Sequence, residues 1–140
     1  MNAATGLAIA GFDDLLRAAR QQPEPQRLLF VFAGAELPDD CTPDQRARFA
    51  AGVGGALSPL MCVDKSADEL ETFATLVAES RTAGPEWAIV FVAGLAGRAG
   101  RAPTSKDAEV PMQRMVDAIK AGSLGSFIPF DRAGRPVQFE

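Results

Sequence analysis

An α/β domain with a mostly parallel or mixed sheet of about five strands is the fold this sequence predicts, from three observations. Helical and strand-like segments alternate along the chain, as they do when strands are joined by crossover helices. The two clearest strand segments, Arg27 to Phe32 and Trp87 to Ala93, are continuous apolar runs, the pattern of strands covered on both faces. The length of 140 residues, with 47% apolar and 23% charged side chains, suits one globular domain with a real core, in two or three layers, over residues 1–140.

The first element is a helix over Phe12 to Arg20. Phe12, Leu15, Leu16 and Ala19 recur at helical spacing on one face, and Pro23 and Pro25 stop it. The strand RLLFVF follows, then a loop through Glu36–Cys41. Thr42-Pro43-Asp44-Gln45 is a capping box with proline at the first helical position, and the helix behind it turns Phe49 and Ala50 inward. The strand Leu57 to Val63 contains Pro59, which makes it short, interrupted or near an edge. A second capping box, Ser66 to Glu69, precedes a helix carrying Leu70, Phe73, Leu76 and Val77. After the strand at Trp87 comes a glycine-rich loop, Gly94 to Pro103. The last helix, about Glu109 to Ala121, packs Met112, Met115, Val116 and Ile119 and closes at Gly122. The segments FIPF and PVQF, joined by Asp131–Arg135, read as a C-terminal hairpin.

Composition narrows the chemistry. The absence of histidine excludes Ser-His-Asp and Cys-His catalysis and histidine-ligated metals. The absence of tyrosine removes phenol chemistry and a tyrosyl radical. A net charge of −4 argues against nucleic acid as the main partner. No apolar run reaches the ~20 residues that span a bilayer, and Met1 to Ala10 lacks the positive start of a secretory signal. A cytoplasmic location with reduced thiols is the expectation.

In open α/β sheets ligands bind outside the carboxyl ends of the strands, so three loops are candidates. In the first, Gly94, Gly97 and Gly100 can turn backbone amides toward an anion while Arg98, Arg101 and Lys106 neutralise it. This loop lacks the lysine-serine/threonine ending of a P-loop and the spacing of a dinucleotide fingerprint, and it reads equally as a solvated loop. From the other two loops, Glu36–Cys41 and Asp64–Ser66, the carboxylates Asp39, Asp40 and Asp64 can hold magnesium if they meet, or act as turn and cap residues. A further candidate is Cys41, before a helix N-terminus where a thiolate is favoured, although Asp39, Asp40 and Asp44 oppose it. Cys62, within an apolar run, reads as a small core residue. The sequence specifies no cofactor.

Four stretches, Glu24–Pro38, Gly54–Lys65, Trp87–Pro103 and Met115–Gly122, resemble a family of small proteobacterial proteins. Genome labelling often calls these "ribonucleotide reductase subunit alpha", which implies a role near nucleotide metabolism. The large reductase subunit is a far larger barrel that needs a thiyl-forming cysteine and a redox cysteine pair, and two cysteines cannot supply three thiols. The leading expectation is therefore a non-catalytic binding or accessory protein for an anionic metabolite, a nucleotide or a protein. Thiol redox chemistry at Cys41 with Cys62, and magnesium-dependent phosphoryl transfer at the aspartates, are the alternatives. An open edge on the terminal hairpin would allow a homodimer.

Overall fold

A computed structural model describes residues 11–36, 42–44, 47, 56–70, 72–84 and 86–137. Among these the elements are α1 (Phe12–Arg20), β1 (Gln26–Glu36), β2 (Ala56–Ser66), α2 (Phe73–Ala83), β3 (Ile89–Ala96), α3 (Glu109–Lys120) and β4 (Ile128–Phe130). The strands form one four-stranded sheet in the order β2-β1-β3-β4.

Every pairing in this sheet is antiparallel, which corrects the parallel or mixed expectation. β2 and β3 are each antiparallel to β1, so they run the same way. The unit β2–α2–β3 thus keeps the direction that strand–helix alternation predicts, but β1 sits between its two strands. The long connections β1 to β2 and β3 to β4 return the chain to neighbouring antiparallel positions. The continuous apolar runs have their predicted cause even so, because helices cover both faces of an antiparallel sheet.

Alternation along β1 divides the core in two. Leu28, Phe30 and Phe32 pack with Phe12, Leu15 and Leu16 of α1, with Phe73 and Leu76 of α2, and with Val90, Val92 and Phe130. The ring of Phe12 stands 5.9 Å from Phe30, 5.0 Å from Phe73 and 5.5 Å, edge-on, from Phe130. On the opposite face Leu29, Val31, Ala33 and Phe91 pack with Ala108, Met115 and Ile119.

β2 is an edge strand of 11 residues, one of the placements Pro59 allowed, and it carries a bulge. Met61 faces Phe32 and Pro59 faces Ala33, so Leu60 has no opposite residue. The Ser66–Glu69 capping box forms both of its bonds, from the Ser66 amide to Glu69 at 2.8 Å and from the Glu69 amide to Ser66 Oγ at 3.2 Å. It closes a turn rather than opening a helix. α2 begins later, at Phe73, capped by Thr72 Oγ1, which accepts from the Thr75 amide at 3.2 Å.

The fifth strand reduces, among the described residues, to a bridge between Phe130 and Pro136 and a bond from the Val137 amide to the Pro129 carbonyl at 3.0 Å. The hairpin turn at Asp131–Arg135 is present. No helix among the described residues is long and apolar enough to cross a membrane. The Thr42 capping box lies only partly within the described residues: Pro43 and Asp44 are helical, whereas Gln45, Phe49 and Ala50 lie outside them.

Candidate functional site

β3 extends through Ala96, three residues beyond the strand end the sequence suggested, so Gly94 belongs to the sheet opposite Leu28 and not to a loop. The chain then makes a tight reversal. Arg98 and Arg101 exchange both backbone bonds, at 3.0 and 2.9 Å, as a directly opposed antiparallel pair. Between them Ala99 (φ 51°) and Gly100 (φ 79°) both take the left-handed conformation. That is the geometry of a type I′ hairpin turn, which usually places Asn-Gly at these positions.

The reversal is clamped to the turn before β1. The Gly97 amide donates to the Pro25 carbonyl at 2.8 Å, and the Gly100 amide donates to Glu24 Oε1 at 2.8 Å. At Gly97 a Cβ would stand 2.1 Å from the Arg101 carbonyl oxygen, so only glycine fits. Two of the amides expected to cradle an external anion are therefore taken by groups of the chain itself, which corrects that role for Gly97 and Gly100. Lys106 lies in the turn before α3 and does not line the adjacent cleft.

What remains of the predicted site is the arginine pair. A cleft of about 500 Å³ is lined by Leu95, Gly97, Arg98, Arg101, Thr104 and Asp107, among others. Arg98 and Arg101 are exposed, and neither forms an ion pair among the described residues. Asp107 is otherwise engaged. It accepts from the Thr104 amide at 2.9 Å, while Thr104 Oγ1 accepts from the Asp107 amide at 3.1 Å. These bonds to Thr104 hold its carboxyl below the usual carboxylate range. Thr104-x-x-Asp107 has capping-box spacing, a legible signal that the sequence reading passed over.

The structure places Asp64 in a different setting from a metal site. Its Oδ2 accepts from Arg27 Nε at 2.6 Å and from Ser105 Oγ at 2.7 Å, and Arg27 Nη2 in turn donates to Ser105 Oγ at 2.7 Å. Burial opposes ionisation of Asp64, but the Ser105 hydroxyl and the Arg27 guanidinium outweigh it, and the carboxyl stays below its ordinary range. A carboxylate so occupied is a poor base. No group of three or more metal-ligating side chains occurs among the described residues, and Asp39 and Asp40 lie outside them. Neither Arg27 nor Ser105 was singled out by the sequence, since nothing in local spacing joins residues this far apart.

Cys62 is exposed on β2 instead of buried in the core, because the alternation of this edge strand turns it toward α3, where it borders a shallow cavity with Asp64 and Met112. Partial burial of its sulfur pushes the thiol pKa up. Such a thiol is protonated at neutral pH and is a weak nucleophile. Cys41 lies outside the described residues. In comparisons with family models, with curated proteins and with solved structures, the chain finds no match.

Proposed function

We propose that this chain is a non-catalytic binding protein that takes an anionic metabolite or nucleotide at Arg98 and Arg101. The observation that carries this reading is the paired placement of two unneutralised guanidinium groups beside a cleft. Like charges directly opposed on neighbouring strands destabilise a sheet, and here the backbone forces them together across a two-residue turn. A bound anion removes that repulsion and accepts from both forks. The apolar lining from Leu95, Ala96, Ala102 and Pro103 favours an anion with an organic body.

The test is thermal unfolding against nucleotides, phosphorylated metabolites, magnesium and thiol oxidants. A ligand at about 100 times its dissociation constant stabilises the native state by about 2.7 kcal/mol. That raises the midpoint by about 9 °C in a domain of this size. The expected outcome is a shift with a nucleotide or phosphorylated compound that vanishes in the Arg98→Ala, Arg101→Ala double variant. A shift that survives the double variant, or a panel without any shift, overturns the reading.

A further inference from the structure

We propose a second ligand site, for an organic carboxylate with an apolar body, where Arg81 of α2 meets Arg132 of the terminal hairpin turn. Two cavities, of about 430 and 230 Å³, run along α2. Val77, Arg81 and Arg132 line both of them. Because both arginines border both cavities, they stand together where the cavities adjoin.

The site is built rather than incidental. Arg132 Nε donates to the Trp87 carbonyl at 2.6 Å, which fixes the fork and leaves its terminal nitrogens for a ligand. The turn that carries Arg132 is itself tied down: Asp131 Oδ1 accepts from the amides of Ala133 at 2.8 Å and Arg135 at 3.0 Å. Among the described residues Arg81 makes no hydrogen bond through its side chain, and neither arginine forms an ion pair. Two acids share the lining, but neither forms an ion pair with Arg81 or Arg132 among the described residues. Asp13, bordering the larger cavity, accepts from the Phe73 amide at 3.5 Å, and Glu86, bordering the smaller, pairs with neither arginine.

Two adjacent guanidinium groups call for an anion, and a carboxylate matches the planar fork. Apart from Asp13, Ser80 and Glu86, the rest of the lining is apolar. Phe73, Ala74 and Ala78 border the larger cavity and Trp87 the smaller, where the indole N–H is already committed to Ser80 Oγ at 2.9 Å. The class that satisfies both halves is an organic acid with a hydrocarbon body, and not an inorganic anion.

Trp87 is the only tryptophan in the chain, and it stands at the opposite end of β3 from Arg98. Its fluorescence therefore reports on this site. The experiment titrates the protein with octanoate, octanol and inorganic phosphate, following Trp87 emission and the unfolding midpoint. Octanoate is expected to shift the emission saturably, with about tenfold weaker affinity in Arg81→Ala. That substitution removes no side-chain bond among the described residues, and an unfolding midpoint without ligand close to that of the unaltered protein separates lost binding from lost folding. Arg132→Ala is expected to weaken binding in the same way, and the Arg98→Ala, Arg101→Ala variant to bind octanoate as the unaltered protein does. Octanol or phosphate acting as strongly as octanoate overturns the proposed class. Octanoate that changes neither emission nor midpoint, or that binds Arg81→Ala undiminished, overturns the site.

Discussion

Gly97 is the residue on which the arginine hairpin turns. Its missing side chain lets the strand leaving β3 lie against the Arg101 carbonyl, 2.1 Å from where a Cβ would be. Gly97→Ala is expected to cost about 3 kcal/mol in chemical denaturation, through strain that no flexible neighbour can absorb. It should abolish the anion-dependent shift as well. A variant with unaltered stability would show that the hairpin closes without this approach. Of the residues that line the candidate cleft, only Gly97, Arg98 and Arg101 were legible in the sequence as site residues, and Leu95 and Thr104 were passed over. The geometry was not legible. Ala99 occupies a position where Asn would announce a type I′ turn, and nothing local shows that Glu24 accepts from the Gly100 amide. The Arg27–Asp64–Ser105 contacts were illegible for a related reason, since each partner comes from a different part of the chain.

At the scale of elements, helical periodicity was a reliable guide. α1 spans Phe12–Arg20 and α3 ends at Lys120, with Gly122 at φ 80° just beyond it, as the apolar spacing and the glycine indicated. The start of α2 was misread because the Ser66–Glu69 box is a local hydrogen-bonding device, equally at home in a turn. Thr72 is the true cap, so Thr72→Ala is expected to lower stability by about 1 kcal/mol. Urea unfolding of that variant checks it, and an unchanged midpoint would deny Thr72 the role. β2 also protects its own margin. Pro59, the bulge at Leu60 and the Ser66 amide bonded to Glu69 all interrupt the ladder another strand would need. β4 is bordered by the Pro136–Val137 segment, the second arm of the terminal hairpin.

At the scale of the molecule, strand order was beyond the reach of pattern reading. Continuous apolar runs and helix–strand alternation fit an antiparallel sheet sandwiched by helices as well as a parallel one. The contacts of Asp64 make this topology measurable, because they join β1, β2 and the turn leading into α3. Its carboxyl is depressed in the folded chain, so its stabilisation is complete above the ordinary carboxylate value. It drains away as pH falls through the folded pKa. Stability is therefore expected to decline below about pH 4. Asp64→Asn should be less stable at neutral pH by about 1–2 kcal/mol and show a shallower acid decline. Denaturation midpoints measured across that range decide the matter. Parallel curves for the two proteins would mean that other carboxylates, Asp107 among them, set the acid limb.

The central place of β1 has a consequence for how the chain emerges from the ribosome. β1 is synthesised before either of the strands that flank it, and both of its faces are apolar from Leu28 to Ala33. Its second neighbour is complete only when Ala96 has been made. During that interval a strand apolar on both faces waits with one or both margins open. Pairings that reach so far along the chain are also slow to form. Among the described elements only α1 precedes the strand around which everything else assembles, and it packs on the Leu28, Phe30 and Phe32 face alone.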